Sequence, residues 1–182
     1  MKHDGGWKRL GSRQLFESRW FRLRQDQVQL PDESLTTYTV IENPGYVVIV
    51  PVLDDSRVIL EHVYRYTLQE TSTEVPSGGL DGESPEVAAR RELEEETGWV
   101  ARDFTLLGTF SNSTGISDER FHVMLARGLT QTGTISREPT EQIELELLPF
   151  ETALERVHAG RLTHAPSALA ILLAAERIAR SR

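Results

Sequence analysis

Cysteine is absent from all 182 residues. That excludes a disulfide framework, a thiolate metal site and a cysteine nucleophile, and it suits a reducing compartment. An excess of basic charge is also missing: the formal net charge is −8 and the isoelectric point near 5.2. Nonspecific nucleic-acid binding and membrane-surface binding both need a basic face, so neither is expected. No apolar run is long enough to span a bilayer; the most apolar stretches, Val47–Leu53 and Ala165–Ala175, are too short. The first twenty residues lack an apolar h-region, so a secretory leader is not expected and the chain is read as cytoplasmic. Repeats, low-complexity tracts and long linkers are likewise lacking, which favours one well-cored domain with a small extension.

What is present is carboxylate, concentrated in the stretch EVPSGGLDGESPEVAARRELEEETGW from Glu74 to Trp99. The pattern predicts a helix over Pro85–Thr97, stopped by Gly98 at a left-handed C′ position. At about 100° per residue, Glu92, Glu95 and Glu96 fall within roughly a third of its circumference. Like charges so placed repel by a few tenths of a kcal/mol per pair, so something cationic is expected opposite them. Oxygen ligands without Cys or His suit Mg²⁺, Mn²⁺ or Ca²⁺ rather than zinc. Glu94 points to the other side and reads as solvated surface.

Around this helix the pattern predicts a mixed α/β fold. Residues 1–12 read as loose, and 14–30 and 35–42 as the two strands of an N-terminal hairpin turned at Pro31–Ser34. YVVIVPVL reads as a central strand covered on both faces. RVILEHVYRY follows as its neighbour, with a short strand near Glu74-Val75. Phe104–Phe110, Arg120–Leu129 and Glu141–Leu148 read as strands, and Phe150–Ala159 and Ala165–Arg180 as helices. The last helix is assigned an apolar face of Leu169, Leu172, Leu173 and Ala174. The domain boundary is placed between residues 42 and 43.

Arg91-Glu92-Leu93-Glu94-Glu95-Glu96-Thr97-Gly98-Trp99, with Glu83 eight positions before Arg91, resembles the Nudix box, R-E-U-x-E-E-x-G-U with U apolar. The resemblance implies a Nudix-type α/β/α sandwich with a mixed sheet, plus the N-terminal extension. It also implies metal binding by Glu83, Glu92, Glu95 and Glu96 with a main-chain carbonyl near Ser77, loaded with Mg²⁺ or alternatively Mn²⁺. One departure is local. Where the family places a Gly six positions before Glu83, this chain has Ser77, followed by Gly78 and Gly79, which fits a loop one residue short near Asp81-Gly82. Arg91 is expected to hold a carboxylate or the loop in place rather than touch substrate.

Outside the box, VYRY, EVPSGG and STGISDER are similar to the ADP-ribose and nucleoside-diphosphate-sugar pyrophosphatase branch. That likeness implies cleavage of ADP-ribose or GDP-mannose type substrates to a nucleoside monophosphate and a sugar phosphate. It further implies a homodimer that exchanges the N-terminal strands, with Trp20 or Phe21 stacking on the base and Arg65 on phosphate or sugar. The catalytic base is assigned to Glu141, with Glu138 second, beside Glu95 in the box. Thr114 stands where ADP-ribose enzymes typically carry Pro, which argues against strict ADP-ribose specificity. Two rival readings are a nucleoside triphosphate or dinucleoside polyphosphate hydrolase, and a non-catalytic nucleotide-sugar sensor.

Overall fold

The computed structural model describes residues 5–133, 135–137 and 142–180. Its chain divides into two compact units, Met1–Gly45 with Ser111–Arg120, and Tyr46–Phe110 with Phe121–Arg182. Among the described residues no helix is long and apolar enough to cross a membrane.

The first unit is an antiparallel sheet of β1 (Lys8–Glu17), β2 (Arg22–Gln29) and β3 (Leu35–Glu42), in that order. The expected hairpin is therefore three strands, and residues 8–12, read as loose, already belong to the first. Its sequence, KRLGSRQLFE, is exposed almost throughout and bulged near Gly11 and Gln14, so no alternation of apolar and polar residues announced it. The turn into β2 lacks Gly and Pro. Ser18 makes it instead, its Oγ accepting from the backbone N–H of Trp20 and Phe21 at 3.2 Å each. On β2, Asp26 and Val28 are buried; Arg24 bonds Asp26 at 3.0 Å and also pairs with Glu42. The STGISDER segment belongs to this unit: Ile41 N–H donates to Ile116 O at 2.8 Å and Asn43 N–H to Asp118 Oδ1 at 3.1 Å.

In the second unit β4 (Tyr46–Pro51) is the organising strand. It pairs in parallel with β9 (Arg120–Gln131) and antiparallel with β7 (Ser77–Gly79), in a mixed sheet that continues to β8 (Trp99–Ser111). A second sheet joins β10 (Ile143–Pro149), β5 (Arg57–Arg65) and β6 (Glu70–Glu74). β4 is buried on both faces, as its apolar run predicts. Val47 and Ile49 pack with Ala88, Ala89 and Leu93 of the helix α1 (Pro85–Thr97), while Val48 and Val50 pack with the helices α2 (Phe150–His158) and α3 (Ala165–Ala179). This is an α/β/α sandwich.

The box helix spans the residues its pattern predicts. Ser84 caps its start by accepting the Val87 N–H, Pro85 fills the first turn where no N–H is needed, and Gly98 ends it at φ 71°. For α3 the expected apolar face holds at Leu169, Leu173 and Ala174, which pack on the core, and fails at Leu172. Ala170, Ile171 and Ala174 are buried with Pro166 and Ser167, whereas Leu172 is exposed. Small residues let the helix approach the sheet closely, so it docks on them and leaves a larger leucine outside.

Leu93 is fully buried one position beyond Glu92 and seats α1 on β4. Leu93→Ala is expected to lower stability by about 2–5 kcal/mol, measured by chemical denaturation with an unchanged m-value.

Candidate functional site

α1 presents its carboxylates at the edge of its buried face. Glu92 and Glu96 are almost fully buried, and Glu95 is partly open. Between them lies Arg91. Its Nε donates to Glu83 Oε2 at 3.0 Å, its Nη1 to Glu92 Oε1 at 2.7 Å and Glu95 Oε2 at 3.2 Å, and its Nη2 to the Gly79 carbonyl at 2.9 Å. Arg91 thus holds three carboxylates and the loop together, the role expected of it. Burial works against its charge, yet Glu83, Glu92 and Glu95 outweigh that and raise its pKa above the ordinary arginine value. Among the described residues, no three acidic or imidazole side chains already form a metal-holding group; Glu83, Glu92 and Glu95 share the guanidinium.

The strand facing the helix completes this site. The Ser77 N–H donates to Glu96 Oε2 at 2.9 Å. Next to it, a Cβ on Gly78 would stand 2.0 Å from the Glu92 carboxyl carbon, so any side chain there would push the carboxylate out of place. Gly78 is therefore the glycine the carboxylate requires, and the short loop behind it is a two-residue turn. Asp81 and Gly82 take φ values of 48° and 84°, and Glu83 N–H closes on Leu80 O at 2.7 Å, as in a type I′ turn. Asp and Gly tolerate left-handed φ, so the missing residue costs little.

Behind the site is a buried polar group that the sequence pattern did not reveal. Arg65 binds Glu74 with both ends of its fork, at 2.8 and 2.7 Å, while its side chain remains partly exposed. The Glu74 hydrogen bonds raise the Arg65 pKa, against its burial, and the charges of Glu96 and Glu61 add to this. Burial pushes the Glu74 carboxyl up, but Arg65, His164 and Ser72 prevail and hold it below 4.5. His164 Nδ1 lies 3.1 Å from Glu74 Oε2 and 2.8 Å from Ser167 Oγ, which in turn accepts the Val75 N–H at 3.0 Å. Glu61 faces Glu74 across β5 and β6 and is equally buried. The available signal was a lone acid at the inward position of an apolar strand, Glu61 between Ile59 and Val63.

Trp20 and Phe21 part company. Both line a cavity of about 390 Å³ with Arg22, Asn43 and Asp118, but Phe21 packs on Phe16, with ring centroids 5.7 Å apart, whereas Trp20 is 59% exposed and carries the Arg19 guanidinium 3.9 Å above its ring. Glu138 and Glu141 lie outside the described residues.

Comparison with known proteins gives a consistent picture. Residues 43–168 match the NUDIX domain model, and residues 7–41 match the nucleoside diphosphate sugar hydrolase N-terminal domain. The chain is 34% identical over 167 residues to an ADP-ribose pyrophosphatase of Bacillus subtilis, covering 90% of each chain. It is 32% identical over 174 residues to an ADP-ribose pyrophosphatase of Mycobacterium tuberculosis, covering 94% of this chain and 83% of the other. It is also 30% identical to a methanol dehydrogenase activator of Bacillus methanolicus, over 90% of each. A solved ADP compounds hydrolase superimposes with a TM-score of 0.84 at 23% identity, over 96% of this chain and 95% of that one.

Two outcomes follow from the geometry. Gly78→Ala is expected to displace the Glu92 carboxylate and weaken Mn²⁺ binding by about 10-fold or more, read by titration, with the fold retained in circular dichroism. Acid is expected to destabilise the protein in two stages. Burial depresses the His164 pKa below 6.5, so the stability its neutral ring supports is present above that value and is lost as pH falls through the lower folded one. Glu74, depressed below 4.5, adds a second loss at lower pH. Melting temperature against pH measures both, and His164→Asn should remove the first stage and shrink the second, because His164 helps hold the Glu74 carboxyl down. A carboxylate arc on its helix, the glycine that makes room for it and a family match across 43–168 lead to one assignment: this chain belongs to the Nudix hydrolase family.

Proposed function

We propose that this chain hydrolyses the pyrophosphate bond of nucleoside diphosphate sugars, of the ADP-ribose or GDP-mannose type, to a nucleoside monophosphate and a sugar phosphate. The observation that carries the proposal is the complete box helix beneath Gly78, joined in one chain to residues 7–41 that match the N-terminal domain of nucleoside diphosphate sugar hydrolases. Relatives named ADP-ribose pyrophosphatase at 34% and 32% identity support the substrate class. A sensor that had abandoned catalysis would have no need to keep every box carboxylate.

The donor set fits a hard divalent cation. Glu92, Glu95 and Glu96, with Glu83 and the Ser77 main chain, would hold Mg²⁺ or Mn²⁺ through oxygen alone. When bound, such a cation neutralises phosphate charge and lowers the pKa of a bound water. Arg91 keeps Glu83, Glu92 and Glu95 gathered near one another, and their oxygens would turn from its guanidinium to hold the cation. In the reaction a water oxygen bonds to one phosphorus, the bridging P–O bond breaks, and the water's proton passes to a carboxylate. We assign that base to Glu141, with Glu138 second.

Arg65 is our substrate contact on the second unit. Glu74 uses two of its donor positions and leaves the rest of the fork for a phosphate or sugar oxygen. Of the two aromatic candidates, exposure favours Trp20 for stacking on the base, since Phe21 is taken up by Phe16. Leu10, Leu15, Phe16 and Leu35 are exposed on the first unit, apolar surface that a second copy would cover in a homodimer.

The test is release of nucleoside monophosphate, read by chromatography, from a panel of nucleotide sugars, nucleoside triphosphates and dinucleoside polyphosphates, with and without Mg²⁺. Turnover is expected for the sugars and is expected to stop in chelator. Glu95→Gln should lower kcat by about a hundredfold or more, because Lewis-acid stabilisation of several kcal/mol is at stake. Full activity in chelator, or preference for triphosphates, contradicts the proposal. Binding without turnover points to a sensor.

A further inference from the structure

α1 ends on Glu94, Glu95 and Glu96, and its last turn contains no basic residue. This is an adverse place for three carboxylates. The C-terminal end of a helix is the negative pole of its dipole, and its last four carbonyls lack partners within the helix. The chain must supply both charge and donors from elsewhere.

Only the first of these carbonyls is satisfied locally, Glu94 O by the Gly98 N–H at 2.8 Å. The connection after β9 takes the next two. Ser136 N–H donates to Glu95 O at 3.0 Å, and Arg137 donates to Glu96 O from both Nε, at 2.8 Å, and Nη2. Gly98 O accepts from Thr132 N–H at 2.9 Å, Thr132 Oγ1 at 3.1 Å and Gly133 N–H at 3.2 Å. Arg137 reaches further, with Nη1 on Ile143 O at 2.7 Å, where β10 begins. One planar guanidinium thus joins the end of the carboxylate helix to the neighbouring sheet.

We infer that Arg137 is a positioning residue for the metal-binding glutamates, a role that rests on the metal-dependent hydrolysis proposed above. Glu96 is held at both ends: its main-chain oxygen by Arg137 and its side chain by the Ser77 N–H. Charge and position make opposite contributions. A cation near the site competes electrostatically with a metal, so removing the charge alone would tighten metal binding. Releasing Glu96 from its anchor would loosen it. Position prevails, because a donor behind the ligands fixes where they stand, and loss of such support typically weakens metal affinity or activity by about 10–100-fold. Lysine carries the charge but lacks the planar fork that spans two carbonyls, so it is not an equivalent replacement.

The experiment compares the wild-type chain with Arg137→Gln and Arg137→Lys, using Mn²⁺ alone as probe and reading free Mn²⁺ by electron paramagnetic resonance. Both variants are expected to bind Mn²⁺ about 10-fold more weakly or worse. The Mg²⁺ concentration for half-maximal hydrolysis should rise by the same factor, with KM unchanged at saturating metal. Unchanged or tighter Mn²⁺ binding in either variant overturns the inference, wild-type binding by the lysine variant included, since it would show that the planar fork is not needed. The lysine variant keeps the cation at the helix end, so it serves if the glutamine variant does not fold. Wild-type protein that neither binds Mn²⁺ nor turns over refutes the parent proposal; wild-type turnover with unaffected variants refutes the role of Arg137 alone.

Discussion

Repulsion among the carboxylates of α1 is the constraint to which the rest of the second unit answers. Glu92, Glu95 and Glu96 share an arc of one short helix, and two of them are nearly buried. Buried anions persist only if charge and hydrogen bonds from elsewhere hold them. Arg91 gathers the arc from within the helix, Ser77 binds it from β7, and Arg137 closes it from the connection after β9. Each partner comes from a different part of the chain, so the site is as rigid as the sandwich around it.

The apolar framework serves the same end. β4 sends Val47 and Ile49 to α1 and Val48 and Val50 to α2 and α3, which fixes the helix against one face of the mixed sheet. β7 is only three residues long, yet its pairing with β4 sets Gly78 beneath Glu92. Deeper still, Glu74 joins Arg65 to His164 and Ser167 at the start of α3. A chain of polar contacts therefore runs from the last helix to the loop that faces the carboxylates.

The two units carry different groups. The second carries the carboxylates and Arg65. The first offers Trp20 at a turn that Ser18 stabilises, on a sheet whose apolar residues remain largely uncovered. Its first strand is polar and bulged, which is why alternation did not reveal it. STGISDER, distant in sequence, is bonded to the end of β3, an attachment that no local pattern encodes.

Sequence alone determined the box helix to the residue, because capping, helical period and the Gly98 stop are local properties of adjacent side chains. It determined the central strand, since a strand covered on both faces must be apolar at every position. Through the spacing of Glu83, Arg91 and the glutamates it also pointed to the Nudix family, which the match over residues 43–168 shows. Only the tertiary structure decided which glycine faces Glu92, that the shortened loop is an Asp-Gly turn, and that Arg65 is bound to Glu74. The anchoring of the carboxylate helix by Arg137 was decided there too. These depend on groups far apart in the chain meeting at van der Waals or hydrogen-bond distance, and side-chain periodicity has no term for such meetings.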